Sequence, residues 1–174
     1  MRIHDPRPQL NDLLKETRAN LVRYSQMADV KANILLSIAS VLLTLSLSQL
    51  SNPDFTASLT VLVGFLVATI SLALITVIPN FSVVKRKKRS VNDPDYSPLF
   101  FGDYVDVPYA DYVSHLEEVM NSSDRTYEAK IKEIYYAGIY LHKTKFKFLK
   151  YGYILFFVGL FASTVVYLSA TNLS

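Results

Sequence analysis

Three long apolar stretches, residues 34–50, 57–78 and 151–170, divide this chain, and none contains Asp, Glu, Lys or Arg. They are interrupted only by small hydroxyl residues, glycine and tyrosine, with a Gln near the end of the first. A helix needs about twenty predominantly apolar residues to cross a ~30 Å hydrocarbon layer. The second and third stretches reach that length as they stand. The first reaches it when extended back through Ala32 and Val30, which leaves Asp29, Lys31 and Asn33 at headgroup level. The pattern predicts three transmembrane helices.

The polar segments carry a helical pattern of their own. In residues 1–33, a helix is expected to begin near Pro8, because proline is tolerated in a first helical turn. Leu10, Leu13, Leu14, Leu21, Tyr24 and Ala28 then recur at helical spacing, giving a cytoplasmic amphipathic helix that runs into the first span. Ser51, Asn52, Pro53 and Asp54 form a turn that pairs the first two spans as a hairpin. Residues 81–149 read as a cytoplasmic basic loop followed by a helical region. Pro94, Pro98, Gly102 and Pro108 break any helix across 90–108, yet Phe100, Phe101 and Tyr104 argue that this loop docks. A helix is predicted over 109–120. Another follows, capped by Ser123 or Asp124, with Ile131, Ile134, Tyr135, Gly138 and Leu141 on one stripe. No breaker separates it from the third span, so the two are expected to form one rod, with the intervening lysines reaching to the headgroups.

Charge orients the chain. It has 174 residues, 51% of them hydrophobic, and a net charge of +3. All 18 Lys and Arg lie before Ile34 or within 81–150, and the short loop and the tail carry none. Positive residues stay inside, so the N-terminus and the long middle segment are expected in the cytoplasm and the C-terminus outside. The predicted fold is an all-α multi-pass membrane protein, with three transmembrane helices and cytoplasmic helical extensions. The first apolar core lies too far from the start for a cleaved signal peptide, and that span is expected to be retained. No cysteine is present, which excludes disulfides and thiol chemistry.

The candidate chemistry is sparse. The spans carry no ionisable side chain except tyrosine, whereas pumps and proton relays place such groups inside the bilayer. Asn33, Ser37, Ser40 and Thr44 fall on one face of the first span, Gly64 on the second, and Gly159 and Ser163 on the third; these are the candidate helix-packing or pore-lining positions. Lys85, Arg86, Lys87, Lys88 and Arg89 read as a lipid and topology anchor beneath the second span. His4, His115 and His142 share no metal-ligand spacing, and the His4–Asp5 pair lacks the further ligands of a metal phosphohydrolase, so no metal site and no catalytic residues are expected. Acidic Asp103, Asp106, Asp111, Glu117 and Glu118 read as a solvated face. Arg125, Lys130 and Lys132, beside Tyr104 and Tyr127, are the candidates for a small anionic ligand: guanidinium suits phosphate and aromatic faces suit nucleobases.

The stretch ADVKANILLSIASVLLTLSLS at 28–48 resembles the lead-in and first membrane helix of the Pycsar transmembrane effectors, the PycTM group of bacterial antiphage proteins. LFFGDYVDVPYADYVSHLEEV at 99–119 is similar to that family's aromatic-glycine segment and its following helix, and IKEIYYAGIYLHKTKFKFLKYGYILFFVGL at 131–160 to its terminal rod. The resemblance implies a cell-death effector that is not an enzyme. A pyrimidine nucleotide cyclase, triggered by infection, would make cCMP or cUMP. That messenger would activate the membrane protein, an expected homo-oligomer with no nucleic acid polymer as partner, and abortive infection would follow. No separate cyclic-nucleotide-binding domain is visible, which leaves the sensing residues to be found. The competing expectation is a non-toxic membrane adaptor that presents its cytoplasmic helices to a protein partner.

Overall fold

The computed structural model describes residues 8–78 and 90–171. Among the described residues 84% are helical and none forms a strand. Helix α1 spans Pro8–Ser48, α2 Thr56–Val77, α3 Phe101–Tyr104, α4 Tyr109–Met120, α5 Ser123–Leu141 and α6 Lys147–Thr171. A five-residue π-helical stretch, His142–Phe146, joins the last two. Three helical stretches are long and apolar enough to cross a membrane: α1, α2, and the run from α5 through α6. The chain divides into two compact units.

One unit holds the described residues 26–78 and 143–171, and therefore the apolar spans. Its hairpin turn is built by side chains that satisfy exposed backbone groups. Asn52 Oδ1 accepts from Asp54 N at 3.2 Å, and the Thr56 hydroxyl donates to the Asn52 carbonyl at 2.8 Å. In α2, Leu66, Thr69, Ala73 and Thr76 share a buried face, as spacings of three and four residues require. Gly152 and Gly159 are buried on α6, and small residues let helix backbones approach. A Cβ placed on Gly159 would collide with that of Phe65 and lie 2.9 Å from its Cγ. One turn further on, the Ser163 hydroxyl donates to the Ser58 carbonyl at 2.9 Å, and Phe55 stacks on Tyr167 at 5.4 Å. From α1, Ala28 and Ala32 pack with Leu149 in a small core edged by Val77 and Tyr153. Asp29 accepts two hydrogen bonds from Lys145 Nζ, at 2.7 and 2.6 Å.

Hydroxyl groups along these spans bond the carbonyl four residues back: Thr44 to Ser40, Ser71 to Val67, Thr76 to Leu72, Thr164 to Leu160 and Ser169 to Val165. Such bonds satisfy a polar side chain in hydrocarbon without a partner on another helix.

The second unit holds the described residues 8–25 and 90–142. Helix α4 begins directly after Pro108 and ends at Asn121. The cap of α5 is Ser122, one residue before the predicted pair. Its backbone is extended, which turns the hydroxyl toward Arg125 N at 3.4 Å. Thr126 ties the two helices together by donating to the Val119 carbonyl at 2.7 Å. On α5, Tyr127 and Leu141 are buried on one side and Ala129 and Tyr136 on the opposite side, whereas Tyr135 is exposed. On α1, Leu13 and Tyr24 are exposed as well, and Leu21 approaches the Gly138 position of α5. Arg18 Nε bonds Glu133 at 2.9 Å, and Lys130 Nζ donates to Asn11 Oδ1 at 3.2 Å.

Candidate functional site

A cavity of about 400 Å³ lies in the polar unit between the 91–98 segment and helices α4 and α5. Small-ligand sites typically enclose about 300–1,000 Å³. The segment is folded by its own polar groups. Asp93 Oδ1 accepts from Asp95 N at 2.9 Å and the Asp93 carbonyl from Tyr96 N at 2.9 Å, a side-chain turn within a backbone turn. Asp103, buried on α3, reaches back to accept from Ser97 N at 3.1 Å. Lys132 on α5 donates to the Pro94 carbonyl at 2.7 Å and pins the turn to the helix. Tyr96, Ser97 and Phe100 are consequently buried, so the loop docks.

Helix spacing supplies the remaining walls. Arg125, Glu128, Ala129 and Lys132 stand at intervals of three and four along α5 and present one face; His115, Glu118 and Val119 do the same on α4. Arg125 bonds Glu118 across the two helices, and Lys132 bonds Glu128 at 2.8 Å. The Lys132 hydrogen bond, more than simple charge, holds the Glu128 carboxyl below the usual carboxylate range. Tyr96 meets His115 edge to face at 5.2 Å. Burial pushes the Tyr96 phenol upward, reinforced by Tyr112 and the Asp103 charge, and its hydroxyl has no hydrogen-bond partner among the described residues.

The predicted ligand residues separate. Arg125 and Lys132 line the cavity. Lys130 lies elsewhere, over the Tyr127 ring at 5.6 Å and against Asn11, and Tyr104 packs with Tyr112 at 5.3 Å. Tyr96, His115 and Glu118 were not singled out as ligand residues from sequence. The turn signal Asn92-Asp93-Pro94-Asp95 just before Tyr96, and the helical spacing of His115 and Glu118, are the marks that could have found them. Asn33, Ser37, Ser40 and Thr44 are exposed on α1, roughly opposite the buried Ala28, Ala32, Leu35 and Ala39. Gly64 is exposed with open space around it, Gly159 is tightly packed and Ser163 half-buried. Lys85, Arg86, Lys87, Lys88 and Arg89 fall outside the described residues. Among the described residues no cluster of three or more His, Cys, Asp or Glu could hold a metal ion.

A second, more apolar recess of about 260 Å³ lies between α1, the 99–101 segment and α5, with Leu21, Phe100, Ile134 and Tyr140 in its wall. Its wall also carries Arg18, Ser25 and Glu133, and the Glu133 carboxyl is raised by burial, an effect that Arg18 only partly offsets. A carboxylate already held by arginine in an apolar recess is a packing arrangement rather than a polar ligand site.

The family model for the Pycsar effector protein domain, PycTM, matches residues 13–171. The chain belongs to the Pycsar effector family. It is therefore a membrane effector of antiphage defence, in a family served by a cyclic-nucleotide signal from a cyclase and not named for any catalysis. The matched range includes the apolar stretches of all three candidate spans and every residue of the cavity. No curated protein and no solved structure matches the chain.

Proposed function

We propose that this Pycsar effector is gated by a cyclic pyrimidine nucleotide, cCMP or cUMP, made on infection by a cyclase, and that its activation impairs the bacterial inner membrane and ends the infection with the cell. The observation that carries this reading is the family match, which covers residues 13–171 and so takes in most of the polar unit together with the apolar spans. Two further features support it. The polar unit contains a cavity of ligand size with cations in its wall. The spans lack charged residues that would drive an energised transport cycle. The N-terminus and the polar unit face the cytoplasm, where the messenger is made, and the C-terminus faces out; the distribution of Lys and Arg supports this orientation. The active form is a homo-oligomer, and the exposed Asn33, Ser37, Ser40 and Thr44 face of α1 is its contact or pore surface.

The test is membrane potential in bacteria that express the protein, with and without a separately induced pyrimidine nucleotide cyclase. Depolarisation is expected only with both. Unchanged potential, with the protein in the membrane and the messenger measured in the cell, would contradict gating and leave the adaptor reading.

A further inference from the structure

We infer that the cavity between the 91–98 segment and helices α4 and α5 is the receptor site for the cyclic pyrimidine nucleotide, with its phosphodiester on Arg125 and Lys132 and a ribose hydroxyl on Glu118. This rests on the gating reading above and adds the place and the chemistry of recognition.

Charge selects the ligand class. The wall carries two cations, Arg125 and Lys132, against three carboxylates, Asp93, Glu118 and Glu128. A polyanion such as a nucleoside triphosphate would meet more negative than positive charge there. A cyclic mononucleotide carries one negative phosphodiester, and its remaining polar groups include hydroxyl and, in cytosine, amine donors that carboxylates accept. A guanidinium has five N–H donors in a planar fork, so Arg125 can hold a phosphodiester while keeping Glu118, whose second oxygen then faces the ribose. The Arg125 and Glu118 side chains are both more than half exposed, so the site opens to solvent. Lys132 is less accessible and is already fixed by Glu128 and the Pro94 carbonyl. Tyr96 and His115, held edge to face, supply an aromatic wall, and stacking tolerates either pyrimidine.

The experiment is titration calorimetry of the full-length protein in detergent with cCMP and with cUMP. Arg125→Ala should weaken the nucleotide that the wild type binds by about tenfold or more, the usual loss for a hydrogen bond to a charged group. Lys130→Ala removes the same charge from another face of α5, where Lys130 meets Asn11 and the Tyr127 ring, and should leave affinity within about twofold, since attraction across solvent is screened by salt. The 2′-deoxy analogue should bind the wild type more weakly, and Glu118→Gln should erase much of that difference. Val91→Trp, which fills the cavity from the loop side, provides a steric block independent of charge and should also abolish binding. Wild-type binding that survives both Arg125→Ala and Val91→Trp would overturn the cavity and leave the gating reading standing. Failure of the wild type to bind either nucleotide would overturn both.

Discussion

Replacing Gly159 with alanine should damage the span unit far more than the same change at Gly64, although both are glycines in apolar helices. At Gly159 the added methyl collides with Phe65 Cβ and lies 2.9 Å from Cγ, and the first of these atoms is fixed by its backbone. Carbon atoms settle at about 3.5–4.0 Å, so α2 and α6 must part locally by about an ångström. Overpacking of this kind costs about 1–3 kcal/mol. The parting also stretches the Ser163–Ser58 hydrogen bond one turn away, worth about 0.5–1.5 kcal/mol. Alanine recovers up to about 1 kcal/mol of helix propensity, which leaves a net loss of about 1–3 kcal/mol at Gly159. At Gly64 nothing lies within 4 Å, so only the propensity gain remains. Unfolding in mixed micelles by stepwise addition of a denaturing detergent, followed by circular dichroism, compares the two variants with the wild type. An order of Gly64→Ala, wild type, Gly159→Ala from most to least stable is expected. Gly159→Ala at or above Gly64→Ala would refute the close approach of α2 and α6.

Acid tests Glu133. Its carboxyl is raised by burial, so the folded state holds the proton more tightly than the unfolded one, and the stability present at low pH is lost as pH rises from the ordinary carboxylate range through the raised value. Glu133→Gln removes that loss, so the variant should gain on the wild type in thermal unfolding between about pH 4 and pH 7; a gap that does not change with pH would contradict it. Glu128, held low by Lys132, works in the opposite sense: its contribution is present above the ordinary range and fades as pH falls, and Glu128→Gln should cost most near neutrality. Tyr96→Phe deletes a buried hydroxyl that has no partner among the described residues and should leave the polar unit as stable or up to about 1 kcal/mol more so; a marked loss would show that the hydroxyl is satisfied. Because the chain lacks cysteine, Ser51→Cys and Asp111→Cys report orientation in intact cells. A membrane-impermeant maleimide should label the first and spare the second, and the reverse pattern would invert the topology.

The three spans were legible because charge is so costly in hydrocarbon that its absence over twenty residues is itself a signal. Helix α4 was legible for a local reason: Pro108 and Asn121 punctuate it. Less legible was which side of α1 packs within the span unit. Asn33, Ser37, Ser40 and Thr44 stand out by polarity, yet Ala28, Ala32, Leu35 and Ala39 are the buried positions of that helix. In a bilayer both faces of a span are apolar, so periodicity gives no contrast between lipid-facing and protein-facing sides. The hydroxyl of Thr44 needs no neighbour either, since its own helix supplies an acceptor. On α5 the stripe was legible in part: Ile131, Ile134 and Gly138 are half-buried and Leu141 is buried, but Tyr135 is exposed. The 91–98 segment and α4 take up the side carrying Ala129 and Lys132 and leave Tyr135 outside, and that docking depends on contacts distant in sequence. Arg125 and Lys132 could be picked as phosphate ligands from residue type alone, but nothing local distinguished them from Lys130. Only the fold separates a cation beside a cavity from one that packs on Tyr127.

The central claim is that messenger binding makes this Pycsar effector breach a membrane, and purified parts test it most directly. The full chain is reconstituted in liposomes loaded with a self-quenched dye and a pH reporter, and cCMP or cUMP is added to vesicles in which the polar unit faces the bath. Ion or dye release that requires the nucleotide, and that Arg125→Ala shifts to higher nucleotide concentration, is the predicted result. Vesicles that stay sealed at saturating nucleotide, with binding confirmed on the same preparation, would contradict the account.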